Sequence, residues 1–158
     1  MGKIRKISIV TIVIIYITVS GWWILTPKIL SNKVANRYGV FIPKEIADEY
    51  LCDFDYTYWR YELNSDEQKQ INGYINEYTD IWYELSKETL ARLTESYPEF
   101  YKFDLSNVYA EDSYYCFLST INKKYIHIED GKDDITHSVI IIWDRRNSEY
   151  HYIQQSVR

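Results

Sequence analysis

Apolar and polar positions alternate in three different ways along this chain, and each way predicts a different kind of element. From Ile7 to Leu25 the run ISIVTIVIIYITVSGWWIL is almost wholly apolar, and no charged residue stands between Lys6 and Lys28. At about 1.5 Å of rise per residue such a stretch spans roughly 28 Å, close to the hydrocarbon thickness of a bilayer. The pattern predicts one transmembrane helix over 7–26, preceded by a cytoplasmic N-terminus over 1–6. Lys3, Arg5 and Lys6 give the helix its direction, because short basic flanks stay on the cytoplasmic side. Trp22 and Trp23 fall at the distal interface, where an indole keeps its ring in an apolar layer and its N–H near water. A cleaved signal peptide is the competing reading, with Thr18, Ser20 and Gly21 as small residues near a cleavage site. The apolar core is nearer twenty residues than ten, which favours a retained signal anchor.

Beyond the span the periodicity shortens. Ile29, Leu30, Val34 and Tyr38 suit a helical stalk over 27–49, with Gly39 as a C-terminal cap, VFIP extended, and KEIADEY adding a helical turn. In DFDYTYWRYEL, residues 53–63, Phe54, Tyr56 and Tyr58 share one face of a strand while Asp55, Thr57, Trp59 and Tyr61 share the other. Ser65 and Gln68 form a capping-box signal for a helix in which Ile71, Tyr74, Ile75, Tyr78, Ile81, Trp82 and Leu85 recur at three- and four-residue intervals. The period breaks after Leu85, so either the helix kinks near Ser86 or Ser86 caps a second one, supported by Glu88 and Arg92 and ended by Pro98.

Residues 98–112 show no period and are expected to be an irregular connection. SYYCFLSTI, 113–121, reads as a strand, Asn122-Lys123 as a turn, and KYIHIE as the next strand. Val139–Trp143 is apolar on both faces and is expected to be central. A turn at 145–148 then leads to an edge strand over 150–154. The order predicts an α+β fold: an N-terminal transmembrane helix, then an extracytoplasmic domain over 50–158 with one long helix packed on a mainly antiparallel sheet, helices on one face.

Charge narrows the possible partners. All 23 acidic residues follow the span, against 15 of the 18 basic ones, which leaves the external part at −8. Nucleic acid and anionic lipid headgroups both reward basic patches, so neither is expected as a ligand of this domain; the charge would suit a basic protein partner, with the alternative, the more ordinary one, that it only keeps a tethered domain soluble. The bilayer itself remains the partner of the anchor. Seventeen Tyr and five Trp exceed what a small core needs and suit a binding surface, for which Tyr56, Tyr58, Trp59 and Tyr61 are the candidates; equally, aromatics pack well in strands. Cys52 and Cys116 both follow the span, and an even cysteine count outside the cytoplasm permits a disulfide, with two free thiols as the alternative.

Candidate chemistry is sparse. His127, His137 and His151 lack metal-ligand spacing, and EDGKDD at 129–134 reads as a turn without EF-hand order. Asp53 and Asp55 share a strand face and could do acid–base work, although neighbouring strand acids are usually solvated. The chain has no nucleophile elbow, no zinc-protease helix, no phosphate-cradling glycine loop and no C-x-x-C, and no cofactor is expected. The sequence therefore suggests a single-pass membrane protein with an extracytoplasmic protein-binding domain, of the immunity, inhibitor or exclusion-factor kind. The alternatives are a small cell-envelope hydrolase and a structural subunit of a membrane complex.

Overall fold

Strand alternation in YTYWRYE builds the first long strand and determines which of its residues become core. The structure, a computed structural model, describes residues 40–44, 47–52, 56–96, 105–119, 124–125 and 137–156. The chain divides into two compact units, 1–46 and 47–158. The transmembrane helix expected over 7–26, and residues 27–39 and 45–46 of the stalk expected over 27–49, lie outside the described residues. Among those residues no helix is long and apolar enough to cross a membrane.

The second unit is a small α+β domain with two helices on an antiparallel sheet. Its elements are β1 (Glu49–Cys52), β2 (Tyr56–Glu62), α1 (Ser65–Glu77), β3 (Tyr83–Glu84), α2 (Lys87–Ser96), a 3₁₀ turn at Ala110–Asp112, β4 (Ser113–Ser119), β5 (Lys124–Tyr125), β6 (His137–Asp144) and β7 (Glu149–Ser156). The strand order is β1-β2-β7-β6-β4-β3, with β5 also on β4. The expected central strand, β6, lies between β4 and β7 as its two-sided apolar pattern implies. In contrast, β7 is not the expected edge. It lies inside the sheet, because the N-terminal hairpin β1-β2 docks along it, from Tyr56 opposite Gln155 to Glu62 opposite Glu149. KEIADEY does not end as a helix either, since Glu49 and Tyr50 already pair with Arg60 and Trp59.

The long helix ends earlier than its periodicity suggests. Asn64, not Ser65, is the N-cap: its side-chain oxygen accepts from Asp66 N and Glu67 N, and the Glu67 carboxylate accepts from Asn64 N at 2.8 Å. Helix α1 stops at Glu77, and Tyr83 and Glu84 pair with Tyr115 and Tyr114 instead. Ladder pairing outweighs a helical pattern across Thr79-Asp80, two weak helix formers. Ser86 then caps a separate helix, its Oγ accepting from Thr89 N at 3.0 Å, and Arg92 reaches Glu88 at 2.9 Å.

The helices take opposite faces of the sheet rather than one. Leu93 of α2 is fully buried in a cluster with Tyr58, Tyr115, Phe117, Ile140, Ile142 and Ile153. These are the residues that the register aligns on one side of β2, β7, β6 and β4. Helix α1 takes the other side, where Asn72 Oδ1 accepts a hydrogen bond from Trp143 Nε1 at 3.1 Å. The residues flanking Trp143 in register, Tyr150, Tyr61 and Tyr114, belong to that second face.

Candidate functional site

The aromatics that composition offered as a binding surface are core. Tyr56, Tyr58, Trp59 and Tyr61 are 8%, 2%, 1% and 1% exposed. Trp59 stacks on Tyr152 with ring centroids 4.6 Å apart, and Tyr61 meets Tyr150 edge to face. Strand-face packing accounts for them. Among the described residues the exposed large apolar side chains are instead Tyr50 and Leu51 on β1, Tyr78, and Tyr109.

Cys52 and Cys116 are free thiols. Four strand spacings of about 4.8 Å, roughly 19 Å, separate β1 from β4 in the sheet, far beyond the span of a disulfide. The bridge that the cysteine count permits is therefore not made. Cys116 is buried, and that burial pushes its thiol well above its ordinary pKa. His137 and His151 face opposite sides of the sheet, and His127, Asp53, Asp55 and the acidic run 129–134 lie outside the described residues. Among the described residues no group of three His, Cys, Asp or Glu could hold a metal ion.

What the sheet does assemble is a polar cleft of about 530 Å³, lined by Glu49, Tyr58, Arg60, Asn107, Tyr109, Asn147 and Glu149. Its wall comes from register. Glu49, Arg60 and His151 stand opposite one another on β1, β2 and β7, and Glu62 and Glu149 form the adjacent row. Arg60 is thereby surrounded by acid. Nε donates to Glu49 Oε2 at 2.9 Å, and Nη1 donates to Glu149 Oε1 at 2.6 Å and to Glu62 Oε1 at 3.2 Å. Partial burial opposes the charge on Arg60, but these bonds outweigh it and raise the guanidinium pKa further.

Beneath the wall, His151 is fully buried. Its Nδ1 is 3.0 Å from the Tyr58 hydroxyl, and its Nε2 is 3.6 Å from Glu149 Oε2, with no hydrogen-bond partner. An acceptor is the nearer neighbour of Nε2, so the proton belongs on Nε2 and the Tyr58 O–H donates to Nδ1. The imidazole first, and then Arg60, hold the Glu149 carboxyl below its ordinary range against partial desolvation. Tyr58, His151 and Glu149 thus form a hydroxyl–imidazole–carboxylate line ending at the cleft.

The opposite wall is held by one buried carboxylate. Asp144 Oδ1 accepts from Arg146 N at 3.0 Å and Asn147 N at 3.1 Å, and Oδ2 accepts from Tyr109 N at 3.1 Å and Asn147 Nδ2 at 3.0 Å. Asn147 Nδ2 also donates to Asn107 O at 2.8 Å. This Asx turn carries the chain through Ser148 at a φ of 59° and ties the loop of 105–109 to the β6–β7 turn. On the rim, the Arg146 guanidinium stacks 3.8 Å from the centre of the Tyr109 ring.

Sequence reading finds little of this site. Asp144-x-x-Asn147 is a legible turn signature, and Arg60 stands out as a charge in an aromatic strand. The convergence of Glu49, Glu149 and the 105–109 loop depends on pairings remote in sequence, for which a single chain gives no local signal. Comparison of the chain with protein-family models, with curated proteins and with solved structures gives no match.

Proposed function

We propose that this chain is a single-pass membrane-anchored protein, N-terminus cytoplasmic, whose domain over 47–158 lies on the extracytoplasmic side and binds another protein of basic character. An immunity, inhibitor or exclusion-type role fits that combination of small size, tethering and acidic surface. The address rests on the apolar run 7–25 and its basic flank. The observation that carries the binding reading is the acidic cleft beside β1, an edge strand whose four residues are all exposed and which presents Leu51 with Glu49 on the cleft face and Tyr50 on the other. Exposed aromatic and aliphatic side chains bordered by charge are what a protein interface requires.

The test uses the full chain in its own membrane. Crosslinking from position 50, followed by mass spectrometry, is expected to recover one dominant basic protein, with a yield that falls as salt rises from 50 to 500 mM. No specific adduct, or a yield indifferent to salt, would count against it. A second reading, the small hydrolase, is favoured by the Tyr58–His151–Glu149 line, because a hydroxyl paired to an imidazole that faces a carboxylate is how a nucleophile or acid–base group is activated. It requires turnover of a cell-envelope polymer that Glu149→Gln abolishes while the fold is kept.

A further inference from the structure

The cleft is unbalanced in its hydrogen-bonding groups, and the imbalance specifies a guest. Three carboxylates, Glu49, Glu62 and Glu149, surround one guanidinium. The second oxygen of Glu49, the side-chain oxygen of Asn147 and the hydroxyl of Tyr109 have no partner among the described residues. Glu149 Oε2 is under-used from below as well: His151 Nε2, fully buried and without a hydrogen bond, stops 3.6 Å short of it. Arg60 Nη2 is a spare donor, but an anion reaching it would meet three like charges. Unmet acceptors, a net negative wall and a volume of about 530 Å³ instead match a cation that carries several N–H donors on a flat or compact head.

Resting on the protein-binding reading above, we infer that this cleft receives an arginine or lysine side chain of the partner polypeptide. The guest's donors satisfy Glu49, Asn147 and the free side of Glu149, while Tyr109 and Leu51 contact the flanking backbone. A polypeptide source is favoured over a free amine by the surroundings, since exposed Leu51, opposite Tyr58 and on the same face of β1 as Glu49, offers apolar contact beside the charged cleft that a small amine could not use.

The experiment follows the Arg60 Nε–H and His151 ring signals by NMR in the full chain held in non-ionic detergent, titrated with acetyl-Gly-Arg-Gly-amide and with its uncharged citrulline counterpart. The inference expects saturable shifts with the arginine peptide and none with the citrulline one. Glu49→Gln is expected to weaken binding about threefold, the scale of one partly exposed ion pair, while Glu77→Gln on α1 changes nothing. Equal response to both peptides, no shift at millimolar peptide, or affinity unchanged in Glu49→Gln would overturn it. Tighter binding of putrescine than of the peptide would overturn the polypeptide source. If the peptide fails while salt-sensitive crosslinking from position 50 still finds a protein, the cleft assignment falls and the binding reading stands.

Discussion

The two cysteines show how far one residue type can differ within a single sheet. Cys52 is exposed on edge strand β1, its Sγ 3.6 Å from Thr57 Oγ1. Cys116 faces the fully buried Ile141 from the middle of β4. A thiol in apolar surroundings with a raised pKa supplies almost no thiolate at neutral pH and admits no reagent. At pH 7.5 a maleimide is therefore expected to label one thiol per folded chain and two after denaturation, and Cys52→Ser should leave the folded protein unlabelled. Two labels in the folded state would mean that β4 is not buried, and none would mean that Cys52 is covered rather than exposed on β1. Sequence supplies the even count, but only the strand order shows that the pair is too far apart to close.

Elements form where local signals agree with long-range pairing and shift where they conflict. Strands β2, β4 and β6 were legible, because alternation and burial coincide in them, while helix α2 was legible only as one of two alternatives that the broken period left open. Ser86 has its capping partner in Thr89, and the alternation of Tyr56 and Tyr58 against Trp59 and Tyr61 survives intact. The second half of α1 was not legible, since the three- and four-residue spacing of Tyr78, Ile81 and Trp82 is genuine yet is spent on a turn and a short pairing with β4. The site was the least legible part, being built from β1, β2, β7 and two turns that meet only in the folded sheet. A cap displaced by one residue can be tested directly. Asn64→Ala removes the acceptor used by Asp66 N and Glu67 N and is expected to cost about 1 kcal/mol, whereas Ser65→Ala, one position on, is expected to stay within about 0.5 kcal/mol. Urea midpoints of the two variants measure the difference, and equal losses would return the cap to Ser65.

Across the whole molecule, pH dependence follows from groups that the fold keeps in one protonation state. Glu149 is held ionised by His151 and Arg60, so its folded pKa lies below the ordinary carboxylate value of 4.5. Below that value the unfolded chain takes up a proton before the native one does, and the stability that Glu149 contributes at neutral pH is lost as pH falls on through the lower folded pKa. Tyr61, Tyr125 and Tyr150 are shifted the other way, burial raising each above the ordinary value of 10.0. Above pH 10 the unfolded chain releases protons that the native core retains, so stability falls as pH rises, by at most about 1.4 kcal/mol per pH unit for each tyrosine. The expected profile is a plateau from about pH 5 to 9, with a loss on the acid side and an alkaline loss that begins with the buried Cys116 thiol, whose ordinary value is 9.0, and steepens above pH 10 with the tyrosines, read as the urea midpoint of tryptophan fluorescence. Glu149→Gln is expected to flatten the acid limb, at some cost in plateau height because Arg60 loses a charged partner, and to leave the alkaline limb unchanged. Tyr61→Phe is expected to make the alkaline limb shallower by the share of one of the three tyrosines and to leave the acid limb unchanged, since it removes a titrating hydroxyl and keeps the ring that meets Tyr150. If Glu149→Gln altered both limbs equally, the acid loss would belong to general charge accumulation on the domain rather than to the cleft, and the coupling of Glu149 to His151 would have to be abandoned.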